Sequence, residues 1–241
     1  MASSVKLFFK RLVPRRLWRT WVHARAKLAL SNWAGDQAYR EQFFDLAFKA
    51  LAFNGIDGDY VEFGCGRTLT YAYDRARRHG HPAKLWGFDS FQGLPPPEGA
   101  ADEHPEWKEH RLATPIEDFR KFCRANGLPD GAYTLVKGYF ADTLGQMAPT
   151  DPPENICLAY VDCDMYSSTK TVLEFLAPRL KHGMILAFDD YHCWSSTQVA
   201  GNRRAAVEFF EGHASWGLVP YLPYGWHGMS YVVEDKGLWS A

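Results

Sequence analysis

Apolar and polar positions along this chain switch repeatedly between a helical period and short β-type runs. Tyr39, Phe43, Leu46, Ala47, Ala50 and Leu51 recur at helical spacing until Gly55 ends the run. Apolar stretches at 60–63, 84–88, 133–137, 156–161 and 184–188 have the length and composition of strands. Helical patterns fill the intervals. One covers about 68–79, with Leu69, Ala72, Tyr73 and Ala76 on one face and Gly80 at the C′ position. Thr114-Pro-Ile-Glu117 reads as a capping box with proline at N1, opening a helix that runs to about Asn126. Further helices are expected at about 168–180 and 202–212, and 218–222 with 230–233 reads as a closing antiparallel hairpin. Strands alternating with helices imply an α/β fold, a doubly wound and mostly parallel sheet.

The strand-like runs share a polar ending. Tyr60-Val-Glu-Phe-Gly-Cys-Gly66, Phe88-Asp-Ser90, Tyr160-Val-Asp-Cys-Asp-Met165 and Phe188-Asp-Asp-Tyr191 each bring carboxylates to the end of an apolar stretch. The carboxyl ends of parallel strands line one crevice, so these acids should converge there. Two of them can serve a nucleoside, and three or four can hold a divalent cation. Gly64 and Gly66 permit tight backbone and close approach to a ligand, and the helix behind them offers free N–H groups. Asp89, about 25 residues on, suits a ribose diol. The third glycine of the dinucleotide fingerprint is absent, with Leu69 and Thr70 near its place. Glu62 beside the loop suits a cationic amino-acid group better than a pyrophosphate. S-adenosylmethionine is therefore favoured over NAD, leaving an NAD-dependent oxidoreductase and a non-catalytic binding protein as the alternatives.

Composition narrows the setting. A chain of 241 residues can bury one sizeable core. No apolar run reaches the roughly 18 residues of a membrane span. The five cysteines are odd in number and form no CxxC pair, which points to free thiols in a reducing, cytoplasmic setting. Charge is uneven. Lys6, Lys10, Arg11, Arg15, Arg16, Arg19, Arg25 and Lys27 precede the first acid, Asp36, and the remainder carries 19 basic against 28 acidic residues. Residues 1–34 thus form a basic amphipathic arm ahead of a domain at 35–241. Such an arm can pack on its own acidic domain or a partner subunit, lie peripherally on an anionic membrane, or act in targeting. An acidic body argues against nucleic acid.

Five motifs in order make the pattern specific: Asp59-Tyr-Val-Glu-Phe-Gly64, Phe88-Asp-Ser-Phe-Gln-Gly-Leu-Pro95, Gly138-Tyr-Phe-Ala-Asp-Thr-Leu144, Val161-Asp-Cys-Asp-Met-Tyr-Ser-Ser-Thr169 and Phe188-Asp-Asp-Tyr191. Together they resemble the macrocin O-methyltransferase family over about residues 35–235. The resemblance implies a seven-stranded class I methyltransferase sheet, Rossmann-like, and methylation of a sugar hydroxyl on a glycoside. It implies S-adenosylmethionine held by Glu62, Gly64, Gly66, Asp89 and Ser90, with Asp142 at the adenine, and a homo-oligomer is expected. It places Asp162, Asp189 and Asp190 on a metal, and an all-oxygen ligand set favours Mg²⁺. A sugar hydroxyl also needs a base. Histidine as a residue type ordinarily changes charge near neutrality, which makes His110, on the long 91–113 connection, the candidate, and Asp164 is the alternative or an orienting carboxylate. That connection reads as a lid over the crevice. Trp107, Trp194, Tyr224 and Trp226 are candidates to stack on sugar rings, against a packing role for each.

Overall fold

A computed structural model describes residues 33–240. The expected basic arm and its docking on protein or lipid fall, up to residue 32, outside the described residues. The main compact unit begins at Arg40. Among the described residues no helix is long and apolar enough to cross a membrane.

The elements follow the hydrophobic pattern closely. Helix α1 (Trp33–Asn54) is followed by β1 (Asp59–Phe63), α2 (Thr68–Arg78) and β2 (Leu85–Asp89). Then come α3 (Ile116–Ala125), β3 (Tyr133–Lys137), the short α4 (Phe140–Thr143) and β4 (Ile156–Val161). Helix α5 (Tyr166–Leu176), β5 (Ile185–Phe188), α6 (Gly201–Gly212), β6 (Trp216–Tyr224) and β7 (Gly228–Asp235) complete the chain. The sheet has seven strands in the order β3-β2-β1-β4-β5-β7-β6. The pairs β1–β2, β1–β4, β2–β3 and β4–β5 are parallel, and the closing hairpin adds antiparallel β5–β7 and β6–β7 pairs. Strand order therefore reverses between β1 and β4, opening a crevice at their carboxyl ends.

Core packing explains why the central strands read as continuous apolar runs. All six residues of β4 are buried, as expected for a parallel strand covered on both faces. Tyr60, Leu158 and Tyr160 pack with Phe43, Phe44 and Phe48 of α1 and Leu69 of α2. Val61, Phe63, Ala159 and Val161 pack on the other face with Val172, Leu173 and Leu176 of α5 and Ala205 and Ala206 of α6. Strand β6 carries Pro220 and Pro223 and shifts register between them, features that an edge strand tolerates.

Two local expectations change. The capping box does not form: Pro115 takes the N-cap place in an extended conformation (ψ 136°), no side chain caps α3, and the helix starts at Ile116. The 91–113 connection is also more ordered than its sequence suggests. Leu94 and Arg111 pair through Leu94 N–H to Arg111 O at 3.0 Å, and His110 N–H returns to Leu94 O at 2.9 Å. A 3₁₀ turn at Ala100–Asp102 then buries Asp102, whose two oxygens accept the N–H groups of Glu98 and Ser167 at 2.9 Å each. This carboxylate ties the loop to the first turn of α5 and satisfies one of that helix's exposed donors. Asp102→Ala leaves both donors unpaired and is expected to lower stability by about 1–3 kcal/mol. Urea denaturation should show the loss, and limited trypsin digestion should cut first between residues 103 and 113.

Candidate functional site

The crevice at the β1–β4 reversal is an open cleft enclosing about 900 Å³, solvent at its mouth included. Its floor includes Gly64, Asp89, Asp162 and Asp164, and the 91–113 loop covers it with Leu94, Pro95, Glu98 and Leu112. Gly138, Tyr139, Phe140 and Ala141 after β3, and Ser167, Ser168 and Thr171 of α5, close the sides. Most of these wall residues carry no chemical signature, and only the fold brings them to one cleft.

The first loop has one indispensable glycine. Gly64 has φ +89°, and a Cβ there would sit 1.9 Å from the carbonyl oxygen of Asp162. Gly66 has no such need, since its Cβ would meet only Thr68 Oγ1 at 3.6 Å. Glu62 does not line the cleft. It is fully buried, accepting Gly66 N–H at 2.7 Å and the Tyr60 hydroxyl at 2.5 Å, so it shapes the loop from behind. Burial pushes its carboxyl up to about 8, against the opposing pull of the hydrogen bonds from Tyr60 and Gly66.

Asp89 does face the cleft. It accepts Cys65 N–H at 2.7 Å and Phe91 N–H at 2.5 Å, and burial raises its carboxyl above the ordinary value. Ser90 also lines the cleft; its hydroxyl donates to Gly93 O at 2.9 Å and accepts Gln92 N–H at 3.0 Å, turning the chain into the covering loop. Asp142 lies on α4, exposed and outside the lining, although the residues just before it form a wall.

At the far end carboxylates crowd together. One oxygen from each of Asp162, Asp164 and Asp190 can lie within 4.8 Å of the others. Burial first, and then the charges of Asp189 and Asp190, push the Asp162 carboxyl well up. Burial and its acidic neighbours do the same to Asp164 and Asp190. Asp190 Oδ2 is buried with no hydrogen-bond partner. An all-oxygen trio with excess negative charge and an orphaned oxygen fits a hard divalent cation. Asp164 sits at the centre of a tight turn, with φ +58° and Met165 N–H reaching Cys163 O at 2.5 Å. This γ-turn geometry is strained and persists where the surroundings hold it.

Asp189, expected beside Asp162 and Asp190 on a metal, is engaged elsewhere. Arg40 grips it with two prongs, Nε to Oδ1 at 2.9 Å and Nη2 to Oδ2 at 2.5 Å, and the Tyr160 hydroxyl also donates to Oδ1. Burial opposes its ionisation, but the Arg40 hydrogen bonds and charge prevail and hold its carboxyl below the ordinary range. His227 anchors the same strand end, donating from Nδ1 to Asp189 O at 2.5 Å. That bond leaves Nε2 as an acceptor, 3.3 Å from Arg40 Nη2. Arg40 and His227 stand out in no local motif, and only long-range pairing reveals them.

His110 is not brought to the carboxylates. Its side chain is 67% exposed, with Glu109 at 3.5 Å, because the backbone pairing with Leu94 turns it away from the cleft. Tyr224 is a core residue, stacked on Phe43 at 4.5 Å between centroids. Trp107 stacks on His104 at 4.0 Å. Trp194 and Trp226 stay exposed on the two chain segments that meet where His192 N–H reaches His227 O at 2.9 Å. All five cysteines are free thiols.

Comparison with known proteins sets this geometry in context. The family model described as Macrocin-O-methyltransferase (TylF) matches residues 34–211. A Streptomyces olivaceus protein named as an 8-demethyl-8-(2,3-dimethoxy-alpha-L-rhamnosyl)-tetracenomycin-C 4'-O-methyltransferase is 37% identical over 148 residues, covering 57% of this chain and 54% of its own. A Mycinamicin III 3''-O-methyltransferase from Micromonospora griseorubida is 30% identical over 150 residues, covering 57% of each chain. The matched region thus spans about half the length of these curated relatives. Among solved structures, the O-methyltransferase NovP superposes with TM-score 0.64 at 24% identity, covering 80% of this chain and 79% of that one. A calicheamicin methyltransferase gives TM-score 0.63 at 23% identity, with 80% and 77% coverage. These likenesses establish the class I methyltransferase fold.

Two outcomes follow from the first loop. Gly64→Ala is expected to abolish the loop geometry and cost several kcal/mol through the clash with the Asp162 carbonyl and the strained φ, while Gly66→Ala should stay within about 1 kcal/mol of wild type; thermal denaturation of both variants separates them. Glu62 adds a pH dependence. With its carboxyl raised from 4.5 to about 8, the folded chain keeps a proton that the unfolded chain releases, so stability falls as pH rises through that window. Urea melts between pH 5 and 8 should show that slope in wild type and a flatter profile in Glu62→Gln.

Proposed function

The chain belongs to the macrocin-O-methyltransferase family, and on that premise we propose that it methylates a sugar hydroxyl of a glycosylated small molecule, using S-adenosylmethionine and Mg²⁺. The observation that carries the reading is adjacency. One cleft runs from Asp89, suited to a ribose diol, to Asp162 and Asp164 of the carboxylate cluster. A donor seated on Asp89 would present its reactive end to a hydroxyl held at the cluster. The names of the relatives support the acceptor class, since one of them specifies a dimethoxy-rhamnosyl acceptor.

The donor supplies a methyl group on a positively charged sulfur. Asp89 would hold its ribose through charge-assisted hydrogen bonds, Gly64 would let the backbone approach closely, and Leu94, Pro95 and Leu112 would exclude water from above. Tyr139 and Phe140 would flank the base end, and Asp142 follows them in sequence outside the lining. In the transfer the hydroxyl oxygen forms a bond to the methyl carbon as the carbon–sulfur bond breaks. The electron pair stays on sulfur, and the hydroxyl proton must go to a base.

Asp164 fits that task. It lines the cleft beside Asp162, and its carboxyl is raised by burial and neighbouring charges, which makes it a stronger acceptor near neutral pH than an ordinary aspartate. His110 lies outside the cleft. Asp162 and Asp190, with Asp189 as a third oxygen donor, would hold Mg²⁺, which would polarise the hydroxyl and lower its pKa.

Release of S-adenosylhomocysteine from a glycoside panel tests the whole reading. Asp164→Asn should lower the rate by about 10²–10⁴ while sparing donor affinity, and His110→Ala should remain within about twofold of wild type. Excess EDTA should stop turnover without displacing the donor. Calorimetry that finds NAD binding and no S-adenosylmethionine binding would refute the assignment.

A further inference from the structure

Asp189 is the member of the acidic set that the fold neutralises from within. Its partner comes from 149 residues away in sequence, on the helix that opens the compact unit. The pair is enclosed, with only 14% of the Arg40 side chain and 5% of the Asp189 side chain exposed. Arg40 reaches further than Asp189 alone: its charge also bears on Asp162, Asp190 and the Tyr160 hydroxyl. Asp189 in turn is the acidic neighbour that does most to raise Asp162. The guanidinium thus stands within electrostatic reach of Asp162, Asp189 and Asp190.

We infer that Arg40 is a resident counter-cation of the cluster, which a divalent metal ion must displace from Asp189. The inference rests on the metal reading above and extends it to a residue outside the acidic motifs. Two physical points support it. A dication among Asp162, Asp164 and Asp190 meets a like charge already sitting on the adjoining carboxylate, a repulsion that low-dielectric surroundings strengthen. The guanidinium also has somewhere to go, since Tyr160 Oη lies 3.3 Å from Arg40 Nε and His227 Nε2 lies 3.3 Å from Nη2. Arg40 can exchange its bond to Asp189 for those two neutral acceptors without leaving the enclosed site. Once released, Asp189 becomes an oxygen donor next to Asp190, and the all-acid set Asp162, Asp189 and Asp190 is complete. Arg40 is therefore a positioning residue. It keeps the cluster folded before metal arrives, and it sets the affinity with which metal is taken up.

The consequence is counterintuitive: removing a buried ion-pair partner should improve a binding property. The test is a titration of Mn²⁺ alone into the full chain, free of methyl donor, read by the electron paramagnetic resonance of the unbound ion. Arg40→Met is expected to bind Mn²⁺ about tenfold or more tightly than wild type, the scale of ordinary coupling between sites. Asp189→Asn should bind it at least about tenfold more weakly. Equal or weaker binding by Arg40→Met overturns the inference, and so does wild-type affinity in Asp189→Asn. Should Arg40→Met fail to fold, Arg40→Lys carries the same question, because it keeps a charge but loses the two-pronged grip. It is expected to bind Mn²⁺ more tightly than wild type, and an unchanged affinity overturns the inference. A wild-type chain that binds no Mn²⁺ is a different result. It removes the metal from the proposed function, and the role of Arg40 goes with it.

Discussion

Carboxylates packed at the ends of two adjacent parallel strands set the terms for the rest of this molecule. Asp162 and Asp164 follow β4, and Asp189 and Asp190 follow β5, so four acids share one enclosed corner. Like charges at that separation resist ionising together, and burial adds to the cost. The fold answers in two ways. It neutralises Asp189 with Arg40, and it leaves Asp162, Asp164 and Asp190 raised and turned toward one another. A corner built this way is costly as a structural element, and in the proposed function it is the receptor for a cation.

That corner is useful only because of what lies beside it. Strand order reverses between β1 and β4, so the loop after β1 and the acids after β4 open into the same cleft. The contact is close enough that Gly64 leaves no room for a Cβ against the Asp162 carbonyl. The two ends of the cleft are therefore fixed relative to each other by backbone, which suits the proposed transfer, since that depends on alignment. Glu62 and Asp89 hold that backbone by accepting N–H groups of Gly66, Cys65 and Phe91. Asp102 does the same for the covering loop by tying it to α5.

Arg40 gives α1 a part in this arrangement. Phe43, Phe44 and Phe48 of the same helix are buried against Tyr60 and Tyr160, so the guanidinium is delivered to Asp189 by ordinary aromatic packing. The hydrophobic face of α1 thereby positions a charge, and packing in one layer adjusts the electrostatics of a site at the strand ends.

Residue pattern alone was enough to place the strands, the helices between them, the closing hairpin and the acids at the strand ends. Those features depend on periodicity and on the hydrogen-bonding needs of short segments, which neighbouring residues settle among themselves. Other features depended on partners far off in the chain. Glu62 faces Gly66 and Tyr60 instead of the cleft, and His110 is turned outward by its backbone pairing with Leu94. Tyr224 is spent on core packing against Phe43, and Thr114 loses its capping role because Pro115 stays extended. Asp189 shows the division most clearly. Its place beside Asp190 was legible as an acidic strand end, whereas its partner became visible only when folding brought together residues 149 positions apart. Local sequence specifies which groups end a strand; only the packed tertiary structure decides what each of those groups faces.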